Sequence, residues 1–287
     1  MTDSLHEIAV KVPSPLQLIR CTRRTVRGVA IAALLSACGG SQTTVVERPE
    51  VLETAQSGES TRQSSTGWAG ARAYSLGAEA LDTGNYPAAV VAFTWAIEEA
   101  PDRVEPWLNR AIAYVALRRF ADADRDIERA LLLAPESSNV ALAAASRAVA
   151  TLRYDDALEL LDAAEVTGAE AEAELIRGWA LAETGYLDDA SRAFNTALQT
   201  PALEASSHCG LARVAEHRGQ LDVAIASYEA ALAVAPQHRS ALRGLGLRSL
   251  EAGRPDAARR AFDALLRELP DNDPDRSYIE AARSRAR

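Results

Sequence analysis

The sequence predicts an all-α fold, a solenoid in which helical hairpins of one kind stack side by side. Three observations predict it. Of the 287 residues 48% are hydrophobic but only 5% aromatic, and the β-branched and aromatic side chains that suit strands are scarce beside Ala, Leu, Glu and Arg. Ala89, Ala123, Ala157, Ala190, Ala224 and Ala258 recur at intervals of 34, 34, 33, 34 and 34 residues. Four residues after each stands a large apolar side chain, in turn Phe93, Ile127, Leu161, Phe194, Tyr228 and Phe262. Small and large residues at i and i+4 share one helix face, so each alanine lets a neighbouring helix approach while the large side chain fills the gap beside it.

Residues 1–37 read as an export signal. A polar stretch ends in Arg20, Arg23, Arg24 and Arg27, and a short apolar run from Gly28 to Leu35 follows. That run is far shorter than the ~20 residues a membrane-spanning helix needs. Leu35, Ser36, Ala37 and Cys38 resemble the lipobox of bacterial lipoproteins. The resemblance implies cleavage before Cys38, a diacylglyceryl thioether on its sulfur and, usually, acylation of the new N-terminus. Two or three acyl chains anchor stably where one binds only marginally. An incidental cysteine after an apolar run is the alternative reading of Cys38. Asp directly after the lipidated cysteine often retains such proteins in the inner membrane of two-membrane cells; Gly39 stands there, which implies the periplasmic side of the outer membrane. Thr22-Arg23-Arg24-Thr25-Val26 resembles a twin-arginine signal, so the export route stays open. Residues 38–66, rich in Ser, Thr, Gln, Gly and Glu without helical or strand period, read as a flexible tether spanning roughly 30 Å.

Residues 67–270 hold the six units. Three residues beyond each large side chain come Ala96, Ala130, Ala164, Ala197 and Ala231, with Leu265 in the last unit. Upstream, Gly77, Ala111, Ala145, Gly178, Ala212 and Gly246 place a second small residue on the first helix of each hairpin. Gly84, Gly185, Gly219 and Gly253 suit a helix C-terminus that needs positive φ, and Pro101, Pro135, Pro236 and Pro270 close units because they cannot continue a helix. Pro201 comes one residue early, and the third unit has Thr167-Gly168 where the proline would stand. This pattern is similar to the tetratricopeptide repeat. Trp107, Ala111, Tyr114, Phe120, Ala123, Ala130 and Pro135 make the second unit the nearest match, while the third keeps register only through Tyr154, Ala157, Leu161 and Ala164. The resemblance implies a right-handed α-solenoid of six hairpins. Residues 271–287 are expected to form a capping helix, Pro274 in its first turn and Tyr278, Ile279 and Ala282 on its apolar side; an unstructured basic tail is the alternative.

Tetratricopeptide arrays bind partners on the concave face, built mainly by the first helices. Carried over by register, that face holds Tyr74, Leu81, Leu108, Ile112, Val115, Leu142, Val149, Leu175 and Trp179 in the N-terminal units. Towards the C-terminus it holds Arg213, Glu216, His217, Arg243 and Glu251, with Cys209 and Leu250 among them. The expected groove is apolar along most of its length and charged at its end, and suits an amphipathic helix or extended hydrophobic segment with Trp179 and Tyr74 as anchors. Packing between hairpins is the competing role for the apolar positions. Relatives that clamp a chaperone's terminal carboxylate use Lys and Asn in the first hairpin; Tyr74 and Ala78 stand there, and no lysine follows Lys11.

Composition excludes other chemistry. A net charge of −9 argues against nucleic acid, which requires a basic stripe. Removing residues 1–37 makes the chain more acidic and takes away Cys21. His208 and Cys209 are adjacent, hence on different sides of a helix, and no ligand set has metal spacing. No phosphate loop, nucleophile elbow or HExxH occurs, and Asp155-Asp156 and Asp188-Asp189 sit where helix N-termini favour negative charge. No cofactor is expected. The expected function is a non-enzymatic, membrane-tethered scaffold that recruits or helps assemble an envelope complex. Its architecture is similar to the type IV pilus pilotin lipoproteins, which assist insertion and multimerisation of the secretin channel. Adaptors for peptidoglycan hydrolases or the outer-membrane barrel-assembly machinery share the architecture, and an enzyme accessory subunit or a small-ligand module are the rivals of a different class.

Overall fold

The computed structural model describes residues 59–286 except 165 and 272, with side chains from residue 69 onwards. The export signal, the lipobox Leu35, Ser36 and Ala37, Cys38 and most of the expected tether lie outside these residues. Among the described residues there are thirteen α-helices and no strand. They form six antiparallel hairpins. These are α1 (Glu59–Asp82) with α2 (Tyr86–Glu99), α3 (Val104–Ala116) with α4 (Phe120–Leu133), and α5 (Ser138–Ala150) with α6 (Tyr154–Ala163). Then come α7 (Glu170–Glu183) with α8 (Leu187–Ala197), α9 (Glu204–His217) with α10 (Leu221–Val234), and α11 (Arg239–Glu251) with α12 (Pro255–Glu268). A single helix, α13 (Arg276–Arg285), closes the array. The first helix, α1, begins at Glu59, inside the segment whose composition reads as tether.

The turns follow the sequence signals. Gly84, Gly185, Gly219 and Gly253 all have positive φ, between 68° and 90°, directly after a first helix. In the second and third hairpins the same left-handed position is filled by Arg118 (φ 59°) and Leu152 (φ 63°), where a Cβ is strained. Asn85 caps α2 by accepting from the Ala88 amide at 3.3 Å, and His238 caps α11 by accepting from the Ala241 amide at the same distance.

Each large residue of the repeat is a core plug. Phe93, Phe194 and Phe262 are fully buried, each against a glycine of its own first helix, Gly77, Gly178 and Gly246. A Cβ on any of these glycines would lie 2.5–2.7 Å from the ring, so the small residue is a steric requirement. One buried ion pair belongs to this framework: Arg110 grips Asp126 with two hydrogen bonds of 2.8 Å, donates to Thr94 Oγ1 at 2.9 Å and lies over the rings of Trp107 and Tyr114. Burial pushes the Asp126 carboxyl above its ordinary value, and the Arg110 hydrogen bonds pull against that shift.

The array has an inner and an outer layer. First helices touch one another, as α1 does α3, α5 does α7 and α7 does α9, whereas second helices pack on flanking first helices and make no comparable contact among themselves. The third unit is the irregular one, since α6 has ten residues and Gly168 (φ 78°) turns the chain into α7. At the end, α13 covers the last hairpin through buried Ile279 and Ala282, and Arg259 donates to the Ala286 carbonyl at 2.7 Å. Tyr278, expected on that apolar side, is instead 49% exposed, because the buried side is made by Ile279 and Ala282 with Ala286 after them.

Candidate partner-binding site

The register-derived inner face divides into three parts. At the N-terminal end the side chains are reachable. Tyr74 is half-buried, its ring centroid 5.7 Å from that of Phe93, and its hydroxyl accepts from Asn109 Nδ2 at 2.9 Å. The Arg103 guanidinium sits 5.9 Å from the same ring. Leu81 is half-buried beside it, and Leu81 and half-buried Leu108 both pack on the cluster that contains Ile112 and Val115. These three side chains make an aromatic and aliphatic patch held in place by one hydrogen bond and one ring contact.

In the middle, the expected groove residues are covered. Ile112, Val115, Leu142, Val149, Leu175 and Trp179 are all buried, with 6% the highest exposure among them. Trp179 is an edge-to-face neighbour of Phe194, with ring centroids 5.4 Å apart, and belongs to the main core cluster. It packs hairpins together, so it is not offered as the anchor expected of it. The register correctly places these residues on first helices. Their covering by the next first helix depends on how closely consecutive hairpins approach, which alanine-rich helices such as α5 allow.

At the C-terminal end the charged residues form a network around Arg213. Its Nε donates to Glu183 Oε1 at 2.7 Å, its Nη2 to Glu183 Oε2 at 3.2 Å and its Nη1 to Glu216 Oε2 at 3.0 Å. Glu216 also accepts from the Tyr228 hydroxyl at 2.9 Å and faces Arg248 Nε at 3.5 Å, and His217 Nε2 lies 3.7 Å from Glu183. Burial works against the Arg213 charge, but the hydrogen bonds and charges of the two glutamates outweigh it and hold the guanidinium above its ordinary value. Burial, reinforced by Glu216, pushes the Tyr228 hydroxyl well up. Such a network is oriented before any ligand arrives, and preorganised charges favour selective recognition over raw affinity. Arg243 is engaged elsewhere, donating to Asp275 Oδ2 at 3.0 Å at the start of α13, while Leu250 packs under α13 and Glu251 pairs with Arg248 at 2.6 Å.

Sequence reasoning missed Glu183 and Arg248. Glu183 lies thirty residues before Arg213, the offset that sets residues side by side on neighbouring first helices, so an opposite-charge search at that offset would have found it. Cys209 is fully buried, its Sγ 3.6 Å from His238 Nδ1 rather than beside a ligand set with His208. Burial pushes its thiol well above the ordinary range. Among the described residues no three His, Cys, Asp or Glu side chains are grouped as metal ligands, and no helix is long and apolar enough to cross a membrane.

Residues 74–141 and 209–273 match the tetratricopeptide repeat family model. Solved structures share the fold. PilW, a widely conserved type IV pilus biogenesis factor, is 19% identical with a TM-score of 0.60 over 74% of this chain and 98% of that one. PilF of Pseudomonas aeruginosa is 17% identical with a TM-score of 0.53 over 76% and 99% of the two chains. A thermophilic tetratricopeptide protein of Thermus thermophilus is 25% identical with a TM-score of 0.53 over 63% and 100%. No curated protein sequence matches. The chain carries tetratricopeptide repeats, in a right-handed α-solenoid.

Proposed function

We propose that this tetratricopeptide-repeat chain is a non-enzymatic scaffold that holds a segment of another cell-envelope protein on its inner face while a lipid on Cys38 tethers it to the membrane. The observation that carries the reading is the division of that face. Tyr74, Leu81 and Leu108 offer an apolar patch at one end, and the Glu183–Arg213–Glu216 network offers fixed charge at the other. A helix or extended segment with an apolar stretch followed by a polar or charged one is complementary to both. Assembly of a pilus or secretin complex is the envelope task favoured here, because PilW and PilF share the fold along 98% and 99% of their own lengths.

Two experiments test it. Cys38→Ser should move the protein from the membrane to the soluble fraction, and unchanged membrane association would refute the tether. Tyr74→Ala combined with Leu108→Ala should remove envelope partners from a crosslinked pull-down while circular dichroism stays that of wild type. Retention of every partner by that folded variant would refute the inner-face reading.

A further inference from the structure

The outer layer holds a cleft that has no counterpart in the inner-face reading. Between the second helices α4 and α6 lies an open cavity of ≈ 460 Å³, floored by α5. Its cause is a local change in the repeat. Ala144 occupies the floor at the position where the other units carry Leu76, Arg110, Arg177, Leu211 and Leu245. From the same position Arg110 reaches Thr94 on α2 and Asp126 on α4; at Ala144 no side chain extends between α4 and α6, and α6 is short. Ile127 and Leu131 form one wall and Leu160 the other, so the interior is apolar. An apolar cavity of about 150 Å³ already accepts a benzene ring. This one has room for a large side chain.

The rim is acidic. Arg147 takes Asp124 with two hydrogen bonds, and Arg153 takes Asp156 at 3.3 Å, so both rim arginines are occupied. Glu128 on α4 and Glu159 on α6 are exposed and, among the described residues, in no ion pair. Two uncompensated carboxylates therefore flank an apolar slot from opposite walls, on a chain whose net charge is −9.

We propose that this cleft is a docking site for a basic segment of a partner protein. One large apolar side chain of the segment enters between α4 and α6, and its neighbouring Lys or Arg residues meet Glu128 and Glu159. The apolar floor supplies the attraction and the acidic rim selects the sign of the partner. The chain's own residues 39–58, with Glu47, Glu50 and Glu53 against Arg48, carry the same sign as the rim and do not suit it.

The decisive variant is Ala144→Leu, which fills the floor without changing any charge. Three other units carry leucine there, so the variant keeps the fold. A fluorescent helical peptide with one tryptophan flanked by lysines is titrated with the full chain and followed by anisotropy. Saturable binding is expected to weaken about tenfold or more in Ala144→Leu and in Glu128→Lys with Glu159→Lys. It should be unchanged in Val223→Ala, an exposed position on α10 that belongs neither to the cleft nor to the inner-face patch. Equal affinity of wild type and Ala144→Leu overturns the proposal, since general acidity would then explain the binding. Equal binding of a glutamate-flanked peptide, or no saturable binding, overturns it too. A concentration-dependent dimer lost in Ala144→Leu would assign the cleft to a second copy of the chain and likewise overturn it.

Discussion

Gly210→Ala adds one methyl group to the junction between the fourth and fifth hairpins. The new Cβ would lie 2.3 Å from Phe194 Cε1, 2.4 Å from Cζ and 2.5 Å from Cδ1. Carbon atoms pack best at about 3.5–4.0 Å, so ring or helix must yield by more than about 1 Å. The ring has nowhere to go, because a Cβ at Gly178 on its other side would already be 2.7 Å away and Trp179 meets its edge. Overpacking of this kind costs about 1–3 kcal/mol. Alanine is the better helix former by about 1 kcal/mol, which offsets part of the cost and leaves a net loss of about 1–2 kcal/mol. The sign reverses once the ring is gone. Phe194→Ala alone costs about 3–5 kcal/mol, but in that background Gly210→Ala keeps its helix propensity, enters empty space and stabilises by about 1 kcal/mol. Urea denaturation of the four proteins, read as midpoints at constant m, gives the coupling directly. A coupling of about 2–3 kcal/mol is expected. Additive mutations, or a Gly210→Ala that is neutral in the wild-type background, would refute the argument that Phe194 is clamped between two glycines.

Three further outcomes follow from particular residues. Leu152 is 62% exposed with φ 63°, so Leu152→Gly should raise stability by about 0.5–1 kcal/mol, read as an increase in Tm; a decrease would mean that the leucine contacts matter more than its backbone strain. Cys209 keeps its thiol raised by burial while the unfolded chain ionises near about 8.5, so the native state holds the extra proton. Stability should therefore fall by about 1.4 kcal/mol per pH unit as pH rises from about 8.5 to about 10, and Cys209→Ala should flatten that slope. Asp126→Ala leaves the buried Arg110 without its carboxylate and should cost about 2–3 kcal/mol in urea midpoints, whereas Asp122→Ala, whose partners Arg119 and Arg125 are exposed, should leave the midpoint close to that of wild type.

Much of the fold was legible because a repeat states its rule several times. Ala89 and Phe93 alone would be an ambiguous pair. Six in-register copies settle helix, face and hairpin together, since each pair must solve the same packing problem. The turn glycines were readable for the same reason, whereas the strained turns at Arg118 and Leu152 became visible only in the structure. Less of the site was legible. The register put Tyr74 and Leu142 at equivalent inner positions, yet one is half-buried and the other is core, because the first sits on the first hairpin while helices on both sides enclose the second. Arg213 stood out as a charged residue in the groove, but its meaning came from Glu183 on the neighbouring first helix and Tyr228 on the hairpin's second helix.

Local chemistry and periodicity thus dictate the hairpins, their number and the ends of their helices, since these depend on residues within about one turn or one repeat of each other. Which side chains remain reachable is a matter of distances between hairpins. A cavity opens beside Ala144, and an arginine becomes a fixed hub through a glutamate on the neighbouring first helix. Exposure and charge pairing are properties of surfaces that meet only when the array closes up, so the tertiary structure alone decides them.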